Sequence, residues 1–129
     1  MLYAILCYNS EAMVGSWTKA EDDAVLAKRA PVIDKLAAKG KLGPVARLMP
    51  TTAATTVRAG KEPLVIDGPF AETKEQLLGF YSVDCASLEE AIAAAKGMVD
   101  DHGAMEIRPL RLFRPGATVK SLEQVEIAR

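Results

Sequence analysis

The chain has 129 residues, 50% of them hydrophobic and 26% charged, which suits one globular domain with a real core and excludes a disordered chain. Its 16 lysines and arginines against 17 aspartates and glutamates leave a formal net charge of −1, so no long-range attraction to phosphate backbones is expected and direct nucleic-acid contact is disfavoured. Cys7, Cys85 and the lone His102 supply neither a disulfide framework nor zinc-ligand spacing, and no metal or cofactor is expected.

Residues 2–8 are apolar throughout and rich in strand formers, predicting a central strand covered on both faces. The stretch lacks a basic leader and is too short for a signal core or membrane span, so the expected compartment is the cytoplasm, with both thiols reduced. A polar loop is expected over 9–17. Thr18 followed by Glu21 then fits a capping box, opening a helix that runs to about Lys39 with Gly40 as its stop. Leu26, Ala30, Ile33, Leu36 and Ala37 form its expected inward stripe, and Pro31 predicts a kink or short break.

A second strand is expected over 42–48. Residues 55–58 and 63–66 flank Ala59-Gly60-Lys61-Glu62 and read as a hairpin, which Asp67-Gly68-Pro69 ends sharply. One helical turn over 72–76 leads to a strand over 78–84. Ser87 with Glu90 fits a second capping box and starts another helix, with Leu88, Ile92, Ala95 and Val99 on its inward face and Gly103 closing it. The last strand spans 105–113, with Pro109 tolerated at an edge.

The order is an α+β, ferredoxin-like βαββαβ plan with an inserted β-hairpin. Two helices would cover one face of the antiparallel sheet and leave the other bare. Both alternating sets of the first strand are apolar: Tyr3, Ile5 and Cys7 on one side, Leu2, Ala4, Leu6 and Tyr8 on the other. A homodimer closing sheet on sheet is the expected solution. In this plan the first strand lies antiparallel to residues 78–84, which puts Cys7 and Cys85 too far apart to bridge. Residues 1–113 form the domain. Residues 114–129 form a tail with another potential helix start at Ser121 and Gln124, whose Leu122, Val125 and Ile127 are apolar enough to dock on the body or the second subunit.

The run Asp67-Gly68-Pro69-Phe70-Ala71-Glu72-Thr73-Lys74-Glu75-Gln76-Leu77, followed by Gly79-Phe80-Tyr81, resembles the signature of the DGPF branch of the YCII-related domain family. Glu106-Ile107-Arg108-Pro109-Leu110 resembles its closing strand, and the first strand, Arg47-Leu48 and Thr55-Thr56-Val57-Arg58 also suit it. The resemblance implies a dimeric α+β barrel. Some members of the wider family carry a histidine on the first helix that has been proposed, with an aspartate, as an active site. The corresponding segment here, Lys28-Arg29-Ala30-Pro31-Val32, has no histidine, so that pair does not carry over.

Asp67 is the candidate for chemistry, because a carboxylate between a strand end and a Gly-Pro turn, held in a desolvated cleft, would be poised to move a proton. Aspartate before glycine also makes an Asx-turn that only accepts backbone donors. Glu72 would either cap the following turn or face the same cleft; Lys74 and Glu75 read as solvated. Glu106 and Arg108 share one strand face, as an ion pair at the dimer seam or as a pocket rim. With Arg47 alongside, two guanidinium groups would bind a small carboxylate by bidentate hydrogen bonds. His102 after Asp100-Asp101 reads as a helix cap or surface residue, and Trp17 as a hydrophobic staple or a pocket lid.

Two functions follow. One is a homodimer binding a small polar or anionic ligand, with cofactor-independent acid–base chemistry at Asp67 if it is an enzyme. The other, implied by the resemblance, is a non-enzymatic regulatory or interaction module associated with transcription-related proteins. A deep polar cavity holding Asp67, Glu72 and Arg108 would favour the first; a filled interior with an exposed apolar groove would favour the second.

Overall fold

The computed structural model describes residues 1–117 and 119–125. Strand β1 (Leu2–Asn9) is central, pairing antiparallel with β5 (Gln76–Asp84) on one side and β6 (Ala104–Pro109) on the other. Strand β2 (Leu42–Arg47) adds to β5, giving a four-stranded sheet in the order β2-β5-β1-β6. The order and directions are those of an α+β fold with an antiparallel sheet, compatible with a ferredoxin-like arrangement. Pro44 and Pro109 both fall on edge strands, where a missing ladder donor is tolerated. Strands β3 (Thr55–Arg58) and β4 (Leu64–Asp67) pair only with each other, in a separate two-stranded sheet.

Helix α2 (Lys19–Ala38) begins with the expected capping box, Thr18 and Glu21 each accepting the other's backbone N–H. It runs through Pro31 without a break. Helix α3 (Leu88–Lys96) is capped by Ser87, but the Glu90 carboxylate accepts from Ala86 rather than from Ser87. That bond, joined by the nearby Lys41, outweighs desolvation and holds the Glu90 carboxyl below its ordinary value. Both helices pack on the sheet face that carries Tyr3, Ile5, Tyr81 and Val83.

Both helical stripes turn from their expected setting. Leu36, Val32 and Ile33 meet the core from α2, whereas Leu26 and Ala37 are exposed; Ala91, Ala95 and Met98 are buried on and after α3, whereas Leu88 is exposed. The small residues let α3 approach α2 closely: a Cβ at Gly97 would lie 2.8 Å from Val32 Cγ2. Helix α3 ends at Lys96 with Gly97 as its C-cap, well before Gly103.

Other expectations are corrected. The loop over 9–17 contains a short helix, α1 (Glu11–Gly15), capped by Ser10. No helical turn forms over 72–76, because β5 already begins at Gln76. The last strand ends at Pro109 rather than 113, and residues 119–125 are not helical. Ile127 lies outside the described residues, and Leu122 and Val125 are exposed. The tail does touch the body, where Gln124 bonds Arg47 and Asp22 at 2.5 and 3.1 Å. Cys7 and Cys85 are buried, free and at opposite ends of the β1–β5 ladder. Among the described residues no helix is long and apolar enough to cross a membrane.

Candidate functional site

The segment after β4 is held against the hairpin by its own backbone. Gly68 N donates to Ala54 O at 2.8 Å, Thr56 Oγ1 to Gly68 O at 2.7 Å, and Arg58 reaches Phe70 O. Gly68 has φ +108°, a conformation that favours glycine, and Pro69 stiffens the next residue. This turn aims Asp67 and Glu72 into an open cleft of about 510 Å³, whose other walls include Glu11, Thr51, Thr73 and Gln76.

Glu11 is the brace of this cleft. Its carboxylate accepts from the Thr51 N–H at 2.9 Å and from the Thr51 hydroxyl, tying α1 to the 3₁₀ turn Thr51–Ala53. Its own N–H donates to Gln76 Oε1 at 2.9 Å. Gln76 is brought there by a register slip between Cys7 and Tyr8, the kind of bulge that re-aims side chains at a strand end.

Among the described residues no hydrogen bond uses the Asp67 carboxylate, so the Asx-turn is not formed. Asp67 is nevertheless exposed, not sealed in the desolvated cleft that proton transfer would need. Among the described residues no lysine or arginine lines the cleft.

The remaining candidates lie elsewhere. Arg47 pairs with Asp22 of α2 at 2.5 Å, on edge strand β2 and on the helix-covered face. Arg108 and Glu106 pair with each other at 3.0 Å on the opposite edge strand, in register with Ala4 and Leu6 and so on the other face. Within one chain the two guanidinium groups are thus separated by two strands and by the thickness of the sheet, and do not converge on a shared carboxylate. The Glu106–Arg108 pairing itself is an exposed ion pair.

The sequence model of the YCII-related domain matches residues 1–114. The chain belongs to the YCII-related domain family. An uncharacterized protein of Rhizobium meliloti (strain 1021) is 54% identical to it over 120 residues, covering 90% of this chain and 97% of the relative.

In this YCII-related chain the helix segment that lacks a histidine contributes a different group. Arg29 faces the sheet from α2, its NH2 2.6 Å from Asp100 Oδ2 and its NH1 3.2 Å from the Tyr81 hydroxyl. Both members of the ion pair are nearly enclosed, with side-chain exposures of 14% and 12%. Burial pulls the guanidinium pKa down, but the bonds to Tyr81 and Asp100 outweigh it and hold it above its ordinary value. Cys7 lies close enough to feel both charges; burial raises its thiol, Arg29 lowers it and Asp100 raises it, for a net rise. The sequence did hold one signal: Arg29 is seven residues before Leu36 and three before Val32, so it interrupts the apolar face with a charge.

Beside this pair, a second cleft of about 440 Å³ is lined by Met13, Trp17, Val25, Lys28, Asp100 and His102, among others. Trp17 is one of the residues that border this cleft. His102 is an exposed residue at its rim, not a helix cap, since α3 ended at Lys96. Among the described residues no cluster of three or more His, Cys, Asp or Glu is disposed to hold a metal ion.

Proposed function

We propose that this chain is a small homodimeric ligand-binding protein of the DGPF branch, a dimeric α+β barrel with the β3–β4 hairpin inserted, working in the cytoplasm. The observation that carries the ligand-binding reading is the convergence of Asp67 and Glu72 with Glu11, Thr51 and Gln76 on one cleft. With carboxylates and hydroxyls lining it and no cation among its described residues, the cleft suits a small polar organic ligand rich in donors, an amine or a polyol, over an anion. Its openness to water favours binding over acid–base turnover. Asp67 and Glu72 are the groups that would meet the ligand.

The experiment is a thermal-shift screen of the intact chain against small amines, polyols and carboxylic acids. Ligands selective for the folded form raise the apparent Tm. Amines or polyols should do so in the wild type and lose the effect in Asp67→Asn/Glu72→Gln. Carboxylic acids acting alone, or shifts that survive the double substitution, would overturn the assignment.

The dimer is supported by the sheet face opposite the helices, where Leu2, Ala4, Leu6 and Tyr8 alternate with the buried set and stay part-exposed, next to Phe80. Exposed Leu48 continues that surface at the β2 edge and the Glu106–Arg108 pair borders it at the other. An apolar sheet face of this kind is uncommon on a soluble monomer.

The second reading, a regulatory or interaction module associated with transcription-related proteins, has its own support. The hairpin and the turn after it expose Val57, Leu64, Val65 and Phe70, an apolar surface carried on an arm that pairs with no other strand.

A further inference from the structure

In the β3–β4 hairpin Val57 lies opposite Val65 and Thr55 opposite Asp67. By the two-residue period of a strand these four side chains share one face of the hairpin. Val57 is 66% and Val65 67% exposed, and Phe70, on the turn that follows, is 72% exposed. The hairpin pairs with no strand of the main sheet, and two strands alone are marginal in water. An arm of this kind, apolar on its outer face, gains stability from whatever covers it. Asp67 continues that face and lines the open cleft, so a cover over Val57 and Val65 also borders the cleft.

The surface area indicates the size of that cover. The chain exposes 9414 Å², against about 6,600 Å² for a compact monomer of its 13.8 kDa mass. Residues 114–129, even if given the full surface of an unfolded segment, account for about 2,500 Å². The body is then left with roughly 900 Å² more than a compact domain of its size exposes. One partner in an interface of standard size buries about 800 Å². The surplus of one body is therefore the area of one such interface. The bare sheet face contributes only part of it, because Leu2, Ala4, Leu6 and Tyr8 are no more than part-exposed.

We propose that the β3–β4 arm docks on a second copy of this chain, which places the cleft of Asp67 and Glu72 at the seam between the two. The inference rests on the dimer reading above and extends its interface from the sheet to the arm. The arm and the bare face form one surface: Leu48, at the root of the arm, is exposed and donates its N–H to Leu78 O at 2.8 Å on that face. A two-fold interface has to match itself. The arm meets this condition, since Arg58 and Lys61 balance Glu62 and Asp67 and two copies approach without net repulsion. A ligand in the cleft then meets the partner as well, so that occupancy and assembly are linked.

The experiment compares the dimer dissociation constant of the intact chain with that of Val57→Glu/Val65→Lys, whose opposite charges keep the cross-strand pair attractive. The variant should stay folded by circular dichroism and dimerise at least about tenfold more weakly. A second measurement does not depend on that variant. Val65→Cys puts an exposed thiol into a chain whose own Cys7 and Cys85 are buried. Its reaction with a maleimide should slow severalfold over the concentration range in which sedimentation reports dimer formation, whereas Ala27→Cys, exposed on α2, should react at a constant rate. A wild type that stays monomeric removes the dimer reading and this inference with it. A dimer in which Val65→Cys reacts as fast as in the monomer, or which the folded charged variant forms as tightly as the wild type, leaves the dimer reading standing and overturns the docking of the arm.

Discussion

Along β1 the two faces of the sheet are one residue apart and in different surroundings. Tyr3, Ile5, Cys7 and Asn9 are buried under α2 and α3, whereas Leu2, Ala4, Leu6 and Tyr8 are part-exposed. Both sets are apolar except for Asn9, so burial on this strand is decided by what covers each face and not by composition. The helix-covered face carries the stability of the subunit and encloses a charged pair. The opposite face has little to do for the folded monomer and is free to serve assembly.

The largest test of this contrast is Arg29→Ala. It leaves Asp100 buried without its partner, and loss of about 3–5 kcal/mol of unfolding free energy in urea is expected. A loss below about 1 kcal/mol would mean that the pair is solvated in practice.

Neighbouring substitutions on β1 sharpen it further. Ile5→Ala removes a fully buried side chain and should cost about 2–5 kcal/mol. Leu6→Ala, on the other face, should cost the subunit about 1 kcal/mol or less while weakening self-association. Equal effects of the two on stability and on assembly would contradict the division of labour.

The smallest expected effect is a pH dependence. Burial holds both Cys7 and Cys85 above the ordinary thiol value of 9.0. The folded state therefore keeps these protons more tightly than the unfolded chain does. Stability from this source is intact below 9.0 and declines as pH rises through and beyond it. Urea midpoints measured between about pH 8 and about pH 10 should fall, and less steeply in Cys7→Ala or Cys85→Ala. An identical slope in these variants would show that other groups cause the decline.

What could be read from sequence was largely local. Thr18-Glu21 and Ser87-Glu90 announce helix starts because a cap is settled within four residues, and the alternation along β1 announces a strand with two apolar faces. Asp67 and Glu72 could be placed together because only four residues lie between them. Glu11 and Thr51 could not be joined to them, since a bulge in β1 and a 3₁₀ turn bring those two in. The Arg29–Asp100 pair was harder still. Its partners are 71 residues apart, and α2 turns by about one residue to let Arg29 reach Tyr81. The early stop of α3, with Gly97 as its C-cap, was likewise not announced by Gly103. Arg47 and Arg108 were misplaced together because strand order, which sets them on opposite edges and faces, is a property of the whole sheet.

Sedimentation velocity of the intact chain at micromolar concentration tests most directly whether the bare face is an assembly surface. The account predicts a single dimeric species that Leu6→Lys converts to a folded monomer. A wild-type chain that sediments as a stable monomer across that range would contradict it.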